Sequence, residues 1–195
     1  MVTGYALDLD VSPVLRARAD RIQLVLTDCD GVLTDAGVYY TAAGEAAKRF
    51  SIRDGMGVEL LRNAGIETGI VSGEASPSLM RRAEKLGITR LSLGVRDKAR
   101  CLDSILLESG LSCEEVAYIG DDVNDLDVLE MLRDHGLTAA PADAVLAVRA
   151  AVDHVCTSPG GHGAFREFAE WILSFRGTGQ PSVRNSTNRS VSRKE

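Results

Sequence analysis

The sequence predicts an α/β fold: one parallel β-sheet with helices on both faces and a β-hairpin added early in the chain. Three observations predict it. Short apolar runs alternate with stretches of helical length and period over most of the chain, the pattern of repeated βαβ units. The runs are almost continuously apolar, as in "IQLVLT" and "EVAYIG", which marks strands buried on both faces. Glycines at 65, 87 and 110 close three of the helical stretches, where a left-handed residue stops a helix.

Ser12 and Pro13 suit the cap and first turn of a helix reaching residue 20, and residues 22–27 form the first strand. Residues 37–52, "GVYYTAAGEAAKRFSI", flank "AAGE" with two extended arms and read as a hairpin. The alternation then runs helix 55–65, strand 67–72, helix 76–87, strand 90–94, helix 97–110 and strand 115–121. It continues with helix 123–136, strand 137–141, helix 142–151, strand 153–158 and helix 163–175. Residues 1–20 are expected to form an N-terminal arm and 21–176 one domain. From Gly177 the sequence has no apolar period and is expected to be a disordered, mildly basic tail.

Of the 195 residues, 45% are hydrophobic and 26% charged, values of a soluble globular domain. The net charge of -6 argues against a nucleic-acid partner but not against a small anionic substrate, because charge in a cleft matters more than the total. No apolar run is long enough to span a bilayer, and the N-terminus lacks the basic-then-apolar pattern of a signal peptide. Cys29, Cys101, Cys113 and Cys156 are widely spaced without a C-x-x-C pair, as for reduced thiols in a cytoplasm.

The chemistry-bearing residues cluster at strand ends. In "LVLTDCDGVLTD", Asp28 and Asp30 follow an apolar run and are separated by one residue. Continued strand geometry would put both on one side, with Cys29 on the other. Two neighbouring carboxylates repel unless a cation lies between them, and a hard divalent ion such as Mg²⁺ prefers oxygen ligands. A second acidic group, Asp121 and Asp122, follows the strand at 115–121, with Asp125 four residues after Asp121. Asp125 reads equally well as an exposed acid of a helical first turn. Ser72 ends the strand at 67–72, and Lys98 opens a helix.

That set, in that order, resembles the haloacid dehalogenase superfamily of phosphatases over roughly residues 21–173. "DCDGVLTD" looks like its first motif, "VSG" its second, Lys98 its third and "GDDVND" its fourth. The resemblance implies a Rossmann-like fold in which Asp28 attacks phosphorus and Asp30 is the general acid and then base. It implies that Asp28, the Asp30 carbonyl and Asp121 hold Mg²⁺, with Asp122 assisting through water, and that Ser72 and Lys98 bind the phosphoryl group. An acid at position 30 marks a phosphatase rather than a dehalogenase.

The intervals Asp28–Ser72 and Ser72–Lys98 leave no room for a cap domain. The capless, hairpin-bearing layout is similar to the 3-deoxy-D-manno-octulosonate 8-phosphate phosphatase subfamily, which implies a homotetramer whose hairpins join and help close neighbouring sites. "GVLTDAGVYYTAAGEAAKRFSIRDGMG" and "GGHGAFRE" carry that likeness. Where the eight-carbon phosphatases typically have arginine after the second motif, this chain has Glu74. With Arg82 and Lys85, three apart on one helix face, Glu74 resembles the branch acting on nine-carbon, sialic-acid-like 2-keto-3-deoxy sugar acid 9-phosphates, the expected substrate. The alternatives are the eight-carbon ester, another small sugar phosphate, and an inactive tetramerisation domain. All the motif aspartates and the lysine are retained, which favours an enzyme.

Overall fold

The computed structural model describes residues 12–176. The expected tail at 177–195 and the first part of the N-terminal arm lie outside the described residues.

Among the described residues, eight strands and seven α-helices follow the predicted alternation. Helix α1 spans Pro13–Arg21 and β1 Leu24–Thr27. The hairpin is β2, Thr34–Thr41, and β3, Gly44–Phe50, followed by α2, Ile52–Asn63. Strand β4 (Glu67–Ser72), α3 (Pro77–Leu86), β5 (Arg90–Leu93) and α4 (Lys98–Ser109) come next. The last part holds β6 (Val116–Ile119), α5 (Leu126–Leu132), β7 (Leu137–Ala140), α6 (Leu146–Arg149), β8 (His154–Val155) and α7 (Ala164–Phe175).

Six strands form one parallel sheet in the order β5-β4-β1-β6-β7-β8, and β2 and β3 form a separate antiparallel pair. Strand β1 is central, with Thr27 level with Ile70 of β4 and Ile119 of β6. The chain leaves β1 toward one edge and, after β5, returns to the other side of β1 at β6. The reversal puts the crevice for a ligand beyond the carboxyl ends of β1 and β6.

Alternation along the central strands divides the core in two. Val25, Ala117 and Ile119 face a layer containing Ala19 of α1, Leu61 of α2, Leu79 of α3 and Phe165 and Phe168 of α7. Leu24, Leu26, Val116 and Tyr118 face Leu102 of α4, Leu129 of α5 and Val148 of α6. Burial on both faces explains why these strands read as unbroken apolar runs. Among the described residues, no helix is long and apolar enough to cross a membrane.

Several boundaries differ from expectation. The hairpin covers Thr34–Phe50 rather than 37–52, because Ser51 caps α2 by accepting the Arg53 N–H at 3.1 Å. Helix α5 starts only at Leu126, after a 3₁₀ turn over Val123–Asp125. It ends at Leu132 rather than 136, where Arg133 leaves helical geometry and Asp134 takes a φ of 63°. The helix expected over 142–151 contracts to Leu146–Arg149 because a turn from Pro141 to Ala144 comes first and the Val145 N–H bonds to the Asp121 carbonyl at 2.9 Å.

The "GGHG" turn is packed into the molecule. The Gly161 N–H donates to the Val32 carbonyl at 2.9 Å, and Arg49 of β3 donates to the Gly161 carbonyl at 2.9 Å. Buried Asp54 of α2 accepts the Gly163 and Arg166 N–H groups at 3.2 Å each, holding the first turn of α7. Replacing Asp54 with alanine leaves these donors unpaired, at an expected cost of about 1–3 kcal/mol. Chemical denaturation checks this; a midpoint equal to that of wild type contradicts the role of the carboxylate.

Candidate active site

Asp28 is placed by the sheet. Its N–H continues the β1–β6 ladder by bonding the Ile119 carbonyl at 3.0 Å, and its Oδ1 accepts the Cys29 N–H at 2.6 Å. The chain then turns: the Cys29 carbonyl accepts the N–H groups of Leu33 and Thr34 at 2.9 and 3.0 Å. Strand alternation therefore stops at Thr27, and the two aspartates reach different partners. The Asp28 Oδ2 lies 3.1 Å from Lys98 Nζ. The Asp30 Oδ2 lies 2.5 Å from Lys48 Nζ of the hairpin, and its Oδ1 accepts the Thr34 hydroxyl at 3.2 Å.

Opposite Asp28, the loop after β6 supplies Asp121 and Asp125. Asp28, Asp121 and Asp125 each bring a carboxylate oxygen to within 4.8 Å of the other two. Glycine permits this approach at two points. A Cβ on Gly31, where φ is +90°, would fall 1.9 Å from Asp121 Oδ2. One on Gly120 would fall 2.4 Å from Asp125 Cγ.

Asp125 is the residue that sequence reasoning undervalued. It is fully buried, and its Oδ1 accepts Lys98 Nζ and the Tyr118 hydroxyl, each at 2.6 Å. Its Oδ2 accepts the Asp121 and Asp122 N–H groups at 2.9 and 3.2 Å. Both oxygens are thus spent on holding the loop and Lys98. The available signals were its spacing of four from Asp121 and the tyrosine buried in the preceding strand. Asp122 is exposed, and its carboxylate accepts the Val123 N–H at 2.7 Å, so the third carboxylate of the cluster is Asp125 rather than Asp122.

Ser72 is buried at the end of β4, next to β1, with its Oγ accepting the Glu74 N–H at 3.2 Å. Lys98 is buried at the start of α4. Glu74 and Lys85 are exposed. Arg82 turns back onto the scaffold: it donates to the Ser51 carbonyl at 2.7 Å, and its guanidinium carbon lies 5.9 Å from the Phe50 ring centre.

The electrostatics show a site short of positive charge. Burial pushes the Asp28 carboxyl up to about 6, with Lys98 opposing and Asp125 adding to the rise. Burial, then the charges of Asp28, Asp125 and Asp122, push Asp121 up to about 8. Burial alone would lower Lys98, but Asp28 and Asp125 raise it. Among the described residues, Asp121 Oδ1 is one of three buried side-chain polar atoms without a hydrogen-bond partner. A hard divalent cation beside Asp28 and Asp121 would relieve both the repulsion and the unpaired oxygen, so the donor set fits Mg²⁺.

His154, Cys156 and Glu167 also bring donors within 4.8 Å of one another. There, however, Glu167 accepts the Thr157 and Ser158 N–H groups at 2.7 and 3.0 Å, and the Cys156 thiol donates to the Ala164 carbonyl at 3.5 Å.

No protein-family model matches the chain. The chain is 42% identical over 163 residues to the 3-deoxy-D-manno-octulosonate 8-phosphate phosphatase of Haemophilus influenzae, spanning 84% of this chain and 89% of that protein. The solved cobalt-bound form of the Haemophilus influenzae phosphatase aligns with a TM-score of 0.77 at 42% identity, over 82% of this chain and 92% of that one. The Moraxella catarrhalis phosphatase of the same name, solved with a magnesium ion, a phosphate ion and a KDO molecule, aligns with a TM-score of 0.78 at 34% identity, over 83% and 91% of the two chains.

Two outcomes follow from the charge imbalance. Asp28 and Asp121 are raised above their unfolded values, so their contribution to metal-free stability is full below about pH 4 and is lost as pH rises through about 6 and then about 8. A bound cation replaces the protons. The rise in melting temperature with Mg²⁺ is therefore expected to grow across that window, reaching about 5–10 °C at roughly a hundredfold excess over the dissociation constant. A shift independent of pH in thermal melts contradicts the proton–metal exchange. Asp125→Ala is expected to cost about 3–5 kcal/mol by breaking a buried ion pair, read by denaturant unfolding.

Proposed function

The chain belongs to the haloacid dehalogenase superfamily, in the family of capless 3-deoxy-D-manno-octulosonate 8-phosphate phosphatases, and from that premise we propose a magnesium-dependent phosphatase that works through a phosphoryl group carried on Asp28. The observation that carries this reading is the convergence of Asp28, Asp121 and Lys98 beyond the ends of β1 and β6, with an acid two residues after Asp28.

In this reading, an Asp28 carboxylate oxygen attacks phosphorus in line with the leaving oxygen. The P–O bond to the sugar breaks as the Asp28–phosphorus bond forms, and Asp30 gives its proton to the departing alkoxide. Asp30 then takes a proton from water as that water attacks phosphorus and Asp28 is released. Lys98 and Ser72 bind the phosphoryl oxygens. Asp28, Asp121 and the Asp30 carbonyl would hold Mg²⁺, with Asp122 acting through water. When bound, the ion screens the charge between the Asp28 carboxylate and the anionic phosphate. Asp125 holds the Lys98 ammonium at 2.6 Å, so the cation is aimed before substrate arrives and need not reorganise.

For the substrate we infer a 3-deoxy sugar acid phosphate, with 3-deoxy-D-manno-octulosonate 8-phosphate favoured over the nine-carbon acids. Two observations support that preference. The relative at 42% identity over 84% of the chain is named for the eight-carbon ester. Arg82, one of the three residues that pointed to the nine-carbon acid, is engaged with the Ser51 carbonyl. Glu74 and Lys85 keep the nine-carbon reading as the alternative. We further infer a homotetramer assembled through the hairpin, where Tyr39 and Tyr40 are 65% and 71% exposed, unusual for tyrosines with no partner to cover them.

Asp28→Asn is expected to abolish magnesium-dependent phosphate release while the protein melts as wild type does; turnover in that variant removes the nucleophile. A phosphate-release screen against the eight- and nine-carbon sugar acid phosphates is expected to give the higher kcat/KM on the eight-carbon ester. A preference for the nine-carbon ester that Glu74→Arg reverses would instead restore Glu74 as the specificity determinant.

A further inference from the structure

Lys48 is unusual for a lysine in a two-stranded hairpin. Its side chain is 1% exposed, although Ala47 and Arg49 on either side of it are exposed. A buried ammonium loses its hydration and persists only when paired. Its partner is the Asp30 carboxylate at 2.5 Å, with Glu45 Oε2 farther away at 3.8 Å. Glu45 in turn accepts the Ser76 hydroxyl at 2.6 Å, and Ser76 caps α3 by accepting the Leu79 N–H at 3.3 Å. A polar chain thus runs from Asp30 through the hairpin to the helix that follows Ser72.

The Asp30 carboxylate is held at both ends, by Thr34 on Oδ1 and by Lys48 on Oδ2. Asp30 lies in a turn past the end of β1, so the sheet ladder does not set the direction of its side chain. Thr34 begins the hairpin and Lys48 lies in its second strand. The hairpin therefore supplies both contacts.

We propose that Lys48 is the positioning residue of the proton donor, holding the Asp30 carboxyl in line with the leaving oxygen and balancing the negative charge left on Asp30 when its proton departs. This inference rests on the reading of Asp30 as general acid. In the step concerned, Asp30 starts protonated from solvent. The bond between phosphorus and the leaving oxygen breaks as the Asp28–phosphorus bond forms, the proton moves from Asp30 to the leaving oxygen, and the Asp30 anion that remains pairs with the Lys48 ammonium as it does in the structure. Lys48 touches neither substrate nor phosphoryl group in this account and acts only through Asp30. It also makes the hairpin part of the catalytic apparatus, because whatever orders β3 orders the acid.

The test grades the leaving group. An aryl ester such as p-nitrophenyl phosphate departs without a proton, whereas a sugar alkoxide needs one. The quantity to read is kcat/KM, which covers the steps up to loss of the alcohol and excludes hydrolysis of the phosphoryl enzyme. Asp30→Asn is expected to lower kcat/KM on the sugar acid phosphate by about 10²–10⁴-fold and on p-nitrophenyl phosphate far less. Lys48→Met is expected to show the same selectivity at smaller amplitude, about tenfold or more on the sugar ester and within about threefold on the aryl ester. Adding Lys48→Met to Asp30→Asn is expected to cost nothing further, since the two act as one unit. Equal losses on both esters, or additive losses in the double variant, overturn the role of Lys48. An Asp30→Asn variant without leaving-group selectivity overturns the acid assignment itself, a separate result. Lys48→Gln, which removes the charge but keeps a polar side chain, provides the same comparison if the methionine variant does not fold.

Discussion

One buried ammonium among more carboxylates than it can neutralise is the constraint on which the site depends. Lys98 Nζ lies 2.6 Å from Asp125 and 3.1 Å from Asp28, while Asp121 stands within the same cluster with an oxygen that has no partner. Left to themselves, such groups would separate or take up protons. They stay together because each is fixed by backbone. Asp28 is tied to the β1–β6 ladder, Asp125 accepts two N–H groups of its own loop, and Gly31 and Gly120 leave room for the carboxylates to approach. The scaffold holds open a deficit of positive charge, and that deficit suits the site to a divalent cation.

The remaining elements support this arrangement from several sides. The reversal of strand order at β1 and β6 brings two loops distant in sequence to one crevice. Asp54 and the "GGHG" turn brace the loop behind Asp30 through α7 and the Val32 carbonyl. The hairpin fixes Asp30 through Lys48 and Thr34. Asp28 and Asp30, two residues apart in sequence, are thus anchored by different structures: the rigid sheet for Asp28 and an appended ribbon for Asp30. Two-stranded ribbons are weakly stable alone, so proton donation would be the part of the reaction most sensitive to what packs against the hairpin.

Much of this was legible in the sequence, because parallel strands announce themselves by continuous apolar runs and their ends by acid–glycine pairs. Asp28 and Asp121 were found in that way and Lys98 as part of the resemblance to a motif set, and the structure brings the three together. The reading erred where tertiary contacts override local pattern. Period-two alternation placed Asp28 and Asp30 on one strand face, but the strand ends at Thr27 and hydrogen bonds to the Cys29 carbonyl turn the chain. Asp125 read equally well as a solvated acid of a helical first turn and as a functional residue, and only the fold reveals Lys98 and Tyr118 against it. Lys48 carried no signal, since pairing across eighteen residues and a turn has no period. Arg82 and Lys85 share a helix in the sequence, yet the structure turns Arg82 inward onto Ser51 and leaves Lys85 exposed.

The claim that everything else serves is that Asp28 receives the phosphoryl group beside a cation seated against Asp121. A crystal structure of the protein with magnesium and tetrafluoroaluminate tests it most directly. The account predicts aluminium in line with an Asp28 carboxylate oxygen, Mg²⁺ in contact with both Asp28 and Asp121, and the Lys98 ammonium on a fluoride. A metal bound elsewhere, or an anion seated away from Asp28, would contradict it.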